Sequence, residues 1–374
     1  MEEKDALAWL ALRSVPGLGP VLVKRLVEVF GSPHGVLNTN YTSLIRIEGI
    51  GPALAHAILS CRVTEEIQRE YQKVLETGVT LVALTDANYP PLLRAIYDPP
   101  PLLYVRGRLR PESRVIAIVG SRRATAYGRM ITERFSRLLT EKGFIIVSGM
   151  ARGIDGFAHR GALQGGGETL AVLGCGVDVV YPPEHKGLMA QIVEGGGVLS
   201  EFPLGTEPDA KHFPQRNRII SGLALGTLVV EATGESGSLI TARFALEQGR
   251  EVFAVPGNVG AKMSEGTNRL IKSGAKLVQG IEDILEELAP EFRCEGRLTE
   301  ESSQPFPNGQ QALRADLGTD EVTLYDLVGS EPMHIDELCM KSRFPSQKVS
   351  SLLLALELKG AVRQMAGHFY MRTI

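Results

Sequence analysis

The sequence has few cysteines and no long apolar run. Its four cysteines, Cys61, Cys175, Cys294 and Cys339, form no C-x-x-C pair, which argues against a zinc site or a disulfide framework and favours a reducing compartment. No apolar run approaches the roughly 18 residues that a membrane span requires. The acidic start MEEKDALAWL lacks the basic segment of a signal peptide. We therefore expect a cytoplasmic protein that makes no membrane contact.

An excess of positive charge is also lacking. Lysine and arginine together number 40 against 43 aspartates and glutamates, which gives a formal net charge of −3. Nucleic-acid binding would therefore depend on local basic patches, because the overall charge provides no attraction. With 374 residues, 44% of them hydrophobic, the chain is long enough for one large core and small flanking domains.

The motifs of several common enzyme classes are missing. The sequence contains no G-x-x-x-x-G-K-[ST] and no G-x-S-x-G, and GCGVDV at Gly174 lacks the third glycine of a dinucleotide-binding turn. These absences argue against NTPases, serine hydrolases and dinucleotide-dependent enzymes. Asp155 and His159 are spaced i, i+4 without a third ligand, which favours helix capping or packing over a metal site. We expect neither a metal nor a cofactor.

The first 60 residues contain two similar glycine-rich hairpins. Gly17 and Gly49 each precede an apolar residue, a glycine and a proline, and they are 32 residues apart. The glycines suit a tight turn, and the prolines suit the first turn of a following helix. The pair resembles tandem helix-hairpin-helix elements, which contact the DNA backbone without reading bases. An αα-hairpin with a glycine turn is the alternative.

From about residue 79 to 288, short apolar segments alternate with helical patterns. The segments are VTLVALT, LLYVRG, VIAIVG, FIIVSG, TLAVLG, GVLSE, TLVVEA and VFAVPG. This alternation predicts an α/β fold with a mostly parallel, doubly wound sheet and helices on both faces. In such a sheet, ligands bind at the carboxyl ends of the strands.

Glycines, hydroxyl side chains and cations follow the predicted strands. Their donors and positive charges predict an anionic ligand with more than one phosphate. The turn after Val119 has Arg122 and Arg123 where a pyrophosphate-binding loop has its second glycine. We expect Arg122 to grip a phosphate and Arg123 to point elsewhere. The candidate binding residues are Gly120, Ser121, Arg122, Ser148, Gly149, Arg152, Lys211, Phe213, Arg216, Arg218, Ser236, Gly237 and Ser238.

Phe213 narrows the choice of ligand. It lies within KHFPQRNRII, among lysine and arginine residues. This combination is typical of single-stranded nucleic-acid sites, because the cations contact phosphates while the ring stacks a base. The alternative is that Phe213 begins a buried helix, with Arg122 and Arg123 on a solvated turn.

The C-terminal part reads as a linker followed by a small domain. Residues 289–320 are polar and lack periodicity, which predicts a linker. After it, three short amphipathic helices and two strands predict a winged helix. Its recognition helix, Ser346 to Lys359, carries only Lys348 and Lys359 as cations, fewer than a DNA-reading helix normally displays. Protein contact or dimerisation is therefore as consistent with this domain as DNA binding.

We thus expect four segments. An N-terminal helical domain with the tandem hairpins comprises residues 1–65, and the sheet domain comprises residues 66–288. The linker and the winged helix, residues 321–374, follow. The sheet domain contains all of the candidate binding residues.

An ordered series of motifs extends from Tyr89 to about residue 288. It includes AIVGSRRATAYG, IIVSGMARGIDGFAHRGAL, AVLGCGVDVVYPPEHKGL, HFPQRNRIISGLALGTLVVEA and SGSLITARFALEQGREVFAVPG. Together these motifs resemble the DNA-processing protein A family, also called DprA or Smf. The resemblance implies an extended Rossmann-like core, to which an N-terminal helical domain and a C-terminal winged helix are attached.

The resemblance also implies a function and partners. Members of this family are non-enzymatic proteins that bind incoming single-stranded DNA during natural transformation, protect it from nucleases and load the RecA recombinase on it. They typically dimerise through the Rossmann-like core. We therefore expect single-stranded DNA, RecA and a second copy of the chain as partners.

Parts of the site carry over from the family by motif. Gly120–Arg122 matches the phosphate-gripping turn, with Arg122 as its key cation, and Ser148–Gly149 matches the lining of the same pocket. Phe213 matches the stacking ring. A lysine precedes that ring in relatives, and Lys211 is the candidate, although the register there is open.

The strongest alternative is an enzyme. Rossmann-like phosphoribohydrolases of nucleoside monophosphates use a similar sheet and a turn that resembles P-G-G-x-G-T-x-x-E, whose glutamate helps catalysis. The segment GESGSLITARFALEQG is similar to that turn. Here, however, Ser236-Gly237-Ser238 replaces the glycines, and Thr241 provides no acid.

Overall fold

The computed structural model describes residues 2–111, 114–288, 317–329, 333–359, 361–365 and 367–372. They form two compact units, one with residues up to 124 and from 131 to 288, the other with residues 125–130 and the described residues from 317 onward. The predicted linker lies outside the described residues up to residue 316. No helix in the part of the chain that the structure describes is long and apolar enough to cross a membrane.

Six helices form the N-terminal part of the first unit. They are α1 (Glu3–Arg13), α2 (Pro20–Phe30), α3 (Pro33–Leu37), α4 (Tyr41–Ile45), α5 (Pro52–Ser60) and α6 (Glu65–Glu76). Gly17 and Gly49 have φ angles of +80° and +92°, a backbone conformation that favours glycine. A side chain at Gly49 would place its Cβ 2.9 Å from Cδ2 of Leu22, so the two hairpins pack side by side. The predicted tandem of helical hairpins is confirmed.

A nine-stranded sheet forms the centre of the first unit. Its strands are β1 (Thr80–Ala83), β2 (Leu102–Gly107), β3 (Val115–Val119), β4 (Ile145–Ser148), β5 (Thr169–Val172), β6 (Gly196–Ser200), β7 (Gly226–Val229), β8 (Glu251–Ala254) and β9 (Lys276–Leu277). Their order is β1-β2-β6-β5-β4-β3-β7-β8-β9. The seven neighbouring strands β6-β5-β4-β3-β7-β8-β9 are parallel to one another. Strand β2 is antiparallel to both of its neighbours, β1 and β6. The predicted mostly parallel sheet is confirmed, and only β9 is too short for a sequence pattern to indicate.

Helices alternate with these strands. They are α7 (Pro91–Arg94), α8 (Ala126–Glu141), α9 (Ile154–Gln164), α10 (Lys186–Gly195), α11 (His212–Leu223), α12 (Ser238–Glu247), α13 (Glu265–Lys272) and α14 (Ile281–Leu288). All five side chains of β3 are buried, as a continuous apolar run requires when both faces of a strand are covered. The α/β alternation read from the sequence is therefore the architecture of this unit.

The strand order reverses at β3. From β3 the chain proceeds through β4, β5 and β6 on one side, and then returns to β7, β8 and β9 on the other. Because the connections diverge at this point, a crevice opens between the carboxyl ends of β3 and β7. The residues that follow these two strands meet at that crevice.

Partly buried polar contacts hold the N-terminal helices against the sheet. Glu70 of α6 accepts two hydrogen bonds from the Arg13 guanidinium, at 2.8 and 3.0 Å, and another from the hydroxyl of Tyr104 in β2. Lys24 of α2 donates to the carbonyl of Ile96 at 3.2 Å. The helical hairpins are therefore packed on the core and are not a separately tethered module.

The second unit is a winged helix. Its elements are α15 (Thr319–Leu327), β10 (Met333–His334), α16 (Ile335–Ser342), α17 (Ser346–Leu358), β11 (Val362–Met365) and β12 (Phe369–Arg372). The strands form an antiparallel sheet in the order β10-β12-β11. Leu324, Leu338, Val349, Leu353 and Leu356 form the centre of its core. The predicted winged helix is confirmed, with β10 as a short third strand.

Candidate nucleic-acid interface

A cleft of about 1080 Å³ opens at the crevice between β3 and β7. The turn after β3 and the first turns of α11 and α12 form most of its wall. The predicted residues that line it are Gly120, Ser121, Arg122, Phe213, Arg216, Ser236, Gly237 and Ser238. Gly149 and Arg152 line a smaller pocket that shares Arg122 and Phe213 with the cleft. Ser148, Lys211 and Arg218 lie outside both linings.

The turn after β3 is fixed by backbone contacts on two sides. The Ser121 amide donates to the carbonyl of Glu231 at 2.7 Å, and the Ser121 carbonyl accepts from the Ile154 amide at 3.1 Å. A side chain at Gly120 would place its Cβ 2.6 Å from Cγ1 of Ile154, so packing against α9 requires this glycine. Since the backbone here faces protein, a second glycine for a pyrophosphate has no role. The exposed Arg122 side chain lines the cleft instead.

Phe213 lies half-buried in the first turn of α11. Its ring stacks on the ring of Tyr181, with centroids 5.6 Å apart and planes inclined by 29°. The guanidinium carbons of Arg122 and Arg216 lie 5.4 and 5.9 Å from the Phe213 centroid, within the range of cation–π attraction. A Cβ at Gly174 would lie 3.0 Å from Cδ1 of Phe213, so that glycine provides space for the ring. Phe213 is therefore an aromatic ring in the cleft wall beside two cations.

Arg216 is a buried cation beneath the cleft, with 4% of its surface exposed. Its guanidinium donates to the carbonyl of Gly149 at 2.7 Å and to that of Val172. A Cβ at Gly149 would lie 2.6 Å from the guanidinium, so the glycine leaves space for it. Burial lowers the pKa of Arg216 to about 10, and the charge of Asp155 opposes this shift. Arg216 thus stays charged at neutral pH and joins the carboxyl ends of β4 and β5.

The N-terminus of α12 forms another part of the wall. The hydroxyls of Ser236 and Ser238 are hydrogen-bonded at 2.8 Å, and open space lies where a side chain at Gly237 would be. Hydroxyls and free amides at a helix N-terminus attract phosphate oxygens. The exposed Lys262 adds a positive charge to the lining.

Arg123 lines the cleft as well, so the expectation that it points elsewhere is wrong.

Ser148, Arg152 and Lys211 are three of the five predicted residues that do not line the cleft. Ser148 is fully buried and its hydroxyl donates to the carbonyl of Ile118 at 2.6 Å. It therefore joins β4 to β3, and its prediction as a ligand contact is corrected. Arg152 forms an exposed ion pair with Glu184, with Nη2 and Oε2 3.1 Å apart. Lys211 is exposed just before α11, and its contact with DNA stays a prediction.

The buried Arg218 side chain is held by ion pairs, which its sequence neighbours did not indicate. Only 4% of its side chain is exposed, and it pairs with Glu201 at 2.8 Å and with Asp98 at 2.9 Å. These ion pairs connect α11 to the end of β6 and to the segment before β2. Because both acids already hold the guanidinium, the prediction of Arg218 as a DNA contact is corrected.

The Asp155 and His159 pair serves the packing of α9. Asp155 accepts from the Ala151 amide at 3.3 Å, and Nδ1 of His159 lies 2.7 Å from the Thr169 hydroxyl. That hydroxyl donates to the carbonyl of Ile146, so His159 is the donor in the contact. Burial lowers the pKa of His159 to about 3, which leaves it neutral at physiological pH. The capping and packing role favoured by the sequence fits this geometry.

The sequence patterns missed several residues of the cleft. Tyr181, Asn217 and Lys262 all line it, and none directly follows a predicted strand. The signal that was available for Tyr181 is an aromatic residue before two prolines in GCGVDVVYPP, a segment that leaves the carboxyl end of β5. An aromatic in a loop at the ligand-binding edge of a sheet is more informative than one inside a strand.

The two cations of the winged helix's α17 region are engaged within that unit. Nζ of Lys348 lies 2.7 Å from Asp320, and Nζ of Lys359 lies 2.6 Å from Glu321. Leu354 and Leu358 of α17 are instead 59% and 82% exposed. Ion-paired lysines and exposed leucines are less suited to phosphate contact than a helix with free cations.

The fold and the cleft define a Rossmann-like protein with an arginine-lined cleft at its switch point and two small additional domains. The chain belongs to the DNA recombination-mediator protein A family, whose model matches residues 80–289. Residues 309–368 match the DprA winged helix domain, and residues 10–62 match the SAM-like helix-hairpin-helix tandem. The resemblance found in the sequence motifs is confirmed.

Relatives match along most of the chain. Protein Smf of Escherichia coli is 45% identical over 98% of this chain and 95% of its own length. DNA processing protein DprA of Bacillus subtilis is 42% identical over 62% of this chain and 81% of its own. The X-ray structure of DprA from Streptococcus pneumoniae has a TM-score of 0.67 and 37% identity, and the match covers 75% of this chain and 98% of that one. A structure of DprA from Helicobacter pylori, solved for its single-stranded DNA binding mode, has a TM-score of 0.52 and 29% identity. That match covers 57% of this chain and 97% of the other.

Replacing Arg218 tests its structural role. Arg218→Ala leaves the buried Glu201 carboxylate without its partner, and breaking a buried ion pair costs about 3–5 kcal/mol. We expect a loss of this size in the free energy of unfolding, measured by urea denaturation. The exposed ion pair makes Arg152→Ala a matched control that should keep the wild-type midpoint. An Arg218→Ala protein as stable as the wild type would contradict the assignment.

Proposed function

We propose that this protein is a non-enzymatic, cytoplasmic single-stranded DNA-binding protein that protects incoming DNA and loads RecA on it during natural transformation. The observation that carries the proposal is the contact between Arg122 and the half-buried ring of Phe213, 5.4 Å apart in the cleft. Cations hold phosphates while a ring stacks a base, which is the chemistry of single-strand sites. The relative from Helicobacter pylori, with its single-stranded DNA binding mode, supports the assignment.

Stacking on Phe213 favours a single strand over a duplex. Duplex bases are paired and stacked on one another, so exposing one to a protein ring costs a few kcal/mol. A single strand offers its bases without this cost. The cleft also contains few groups that are placed to read base edges, since most of its donors are arginines, hydroxyls and a helix N-terminus. Binding should therefore be largely independent of sequence.

The residues at the start of α12 argue against the enzyme alternative. A phosphoribohydrolase turn provides several glycines and a glutamate, whereas here the hydroxyls of Ser236 and Ser238 bond to each other. Thr241, at the position considered for an acid, is buried with 2% exposure and has no carboxylate. The motif position thus lacks the acid that the comparison requires, while Glu235 and Glu265 line other parts of the cleft, and we assign the site to binding.

We also propose that the protein forms a homodimer through its Rossmann-like core. Apolar side chains are exposed on the β8 and β9 side of the sheet, with Leu246 of α12 at 61% and Leu277 of β9 at 40%. Val259, in the loop after β8, is fully exposed. Burial of such side chains favours association. A dimer would present two clefts to one DNA strand. Once the first cleft is bound, the second cleft meets the same strand at a high effective concentration.

The first experiment compares DNA forms. Fluorescence anisotropy should show tighter binding of oligo-dT than of a duplex of equal length, because only the single strand presents unpaired bases to Phe213. Incubation with nucleoside monophosphates should release no free base. Equal affinity for both DNA forms would place the main site outside the cleft, and turnover of a nucleotide would favour the enzyme.

The second experiment addresses RecA. If the protein loads RecA, adding it at a concentration well below that of RecA should shorten the lag before labelled RecA assembles on oligo-dT. Arg122→Ala should lose this stimulation, since loading depends on DNA held in the cleft. An unchanged lag with the wild-type protein, under conditions where it binds the DNA, would contradict the loading role.

The third experiment measures the phosphate contacts through salt. Each phosphate neutralised on a single strand contributes about −0.7 to the slope of log affinity against log salt. Arg122→Ala should make the slope shallower by about 0.7. Because Arg123 also lines the cleft, the double change of both arginines to alanine should remove about 1.4.

A matched control for these arginines is available on the sheet. Arg106 is exposed at the end of β2 and outside the cleft lining, so Arg106→Ala should keep both the affinity and the slope. Thermal melting shows whether each variant is folded. A folded Arg122→Ala protein with wild-type affinity and slope would show that this cleft does not hold the DNA.

A further inference from the structure

Tyr181 is an aromatic residue of the cleft that the proposed function has not used. It lies in the loop between β5 and α10 and lines both the cleft and the smaller pocket beside it. Its ring is half-buried and stacks on Phe213, with centroids 5.6 Å apart. Its hydroxyl makes no hydrogen bond to the part of the chain that the structure describes. The ring therefore has one aromatic neighbour and a side that is open to the cleft.

The buried tyrosines of the same unit show what a structural tyrosine looks like here. Tyr89 is fully buried, and its hydroxyl donates to the carbonyl of Pro100 at 2.8 Å. Tyr104 is also fully buried and donates to Glu70. Buried tyrosines usually satisfy their hydroxyl in this way. Tyr181 has neither feature, so the packing of the core does not explain it.

The surroundings of Phe213 leave room for a second ring to contribute. One side of Phe213 contacts Tyr181, its edge packs where Gly174 lacks a side chain, and the Arg122 guanidinium lies 5.4 Å from its centroid. Phe213 alone therefore offers limited free ring surface. Tyr181 extends that surface within the same wall, beside the cation that we assign to a phosphate. Two tilted rings next to an arginine match the pattern by which proteins hold successive bases of a single strand.

We propose that Tyr181 stacks a base of bound single-stranded DNA, so that Tyr181 and Phe213 form a platform for two bases. The inference rests on the proposed single-strand function and deepens it. Each ring contributes its own contact with a base, and neither selects a base type, since every base has a π-face. Arg122, next to the rings, holds backbone phosphate near the two stacked bases.

Three variants of the full-length protein test the stacking contact by anisotropy with oligo-dT. A base–ring stack contributes about 1–3 kcal/mol, so Tyr181→Ala should weaken binding about 5- to 150-fold. Tyr181→Phe keeps the ring and should bind within about twofold of the wild type. Tyr97, a tyrosine with 77% exposure outside the cleft lining, is the matched control, and Tyr97→Ala should bind like the wild type. Wild-type affinity in a folded Tyr181→Ala protein would overturn the proposal.

Oligonucleotides that lack bases distinguish stacking from a supporting role. On an abasic strand of equal length and charge, Tyr181→Ala and the wild type should bind equally, because there is no base to stack. If Tyr181→Ala weakens abasic and normal strands by the same factor, the side chain acts on the phosphate contacts and the proposal fails. Tyr181→Leu keeps apolar bulk without a π-face and should bind like Tyr181→Ala. If thermal melting shows that Tyr181→Ala is unfolded, Tyr181→Leu takes its place in the test.

A double-mutant comparison separates the two rings. If Tyr181 stacks its own base, changing it to alanine should weaken binding at least about fivefold even in a Phe213→Leu background. If Tyr181 only positions Phe213, it should cause no further loss there, and the proposal fails. Failure of the proposed function looks different, because the wild-type protein itself would then show no preference for oligo-dT.

Discussion

The buried guanidinium of Arg216 is the contact on which the cleft depends. It joins the carbonyls of Gly149 and Val172, at the ends of two neighbouring strands, and it occupies space that exists because residue 149 has no side chain. Burial raises the pKa of Asp155 above its usual range, and the charge of Arg216 opposes part of this rise, so each group favours the charged form of the other. Since Phe213 lies three residues earlier in the same helix, fixing Arg216 also fixes the ring.

The cations of this unit divide into two groups by burial. Arg216 and Arg218 are almost completely buried, and carbonyls or carboxylates of the protein already hold them. Arg122, Arg123 and Lys262 are exposed and line the cleft. The buried group is not available to a ligand, because a buried charge cannot give up its partner without a large cost. In a chain with a net charge of −3, three exposed cations line this cleft together with two exposed acids, Glu235 and Glu265.

The alternation of apolar segments and helical patterns predicted most of the sheet, and the rule that ligands collect at the carboxyl ends of strands predicted much of the cleft. It located Gly120–Arg122 and Ser236–Ser238, because the apolar runs before them end clearly. The rule identifies the edge on which a residue lies but not the direction of its side chain, which is why Ser148 was assigned wrongly. Arg218 was assigned wrongly because it is close to Phe213 in sequence, although its side chain pairs with Glu201 and Asp98. Tyr181 escaped because it lies nine residues beyond β5 in an irregular loop, where no periodicity relates sequence to position. Its place against Phe213 is a long-range contact.

Charge and stacking contribute to single-strand binding in ways that salt separates. A phosphate held by Arg122 displaces counterions, so that contribution falls as the salt concentration rises. Stacking on an aromatic ring displaces no counterions and persists when phosphate contacts weaken. The two are coupled here, because the Arg122 guanidinium lies against the Phe213 ring and loses that contact if the ring is removed. Phe213 therefore supports both contributions, and the affinity of the cleft at physiological salt should depend on this ring more than on any single cation.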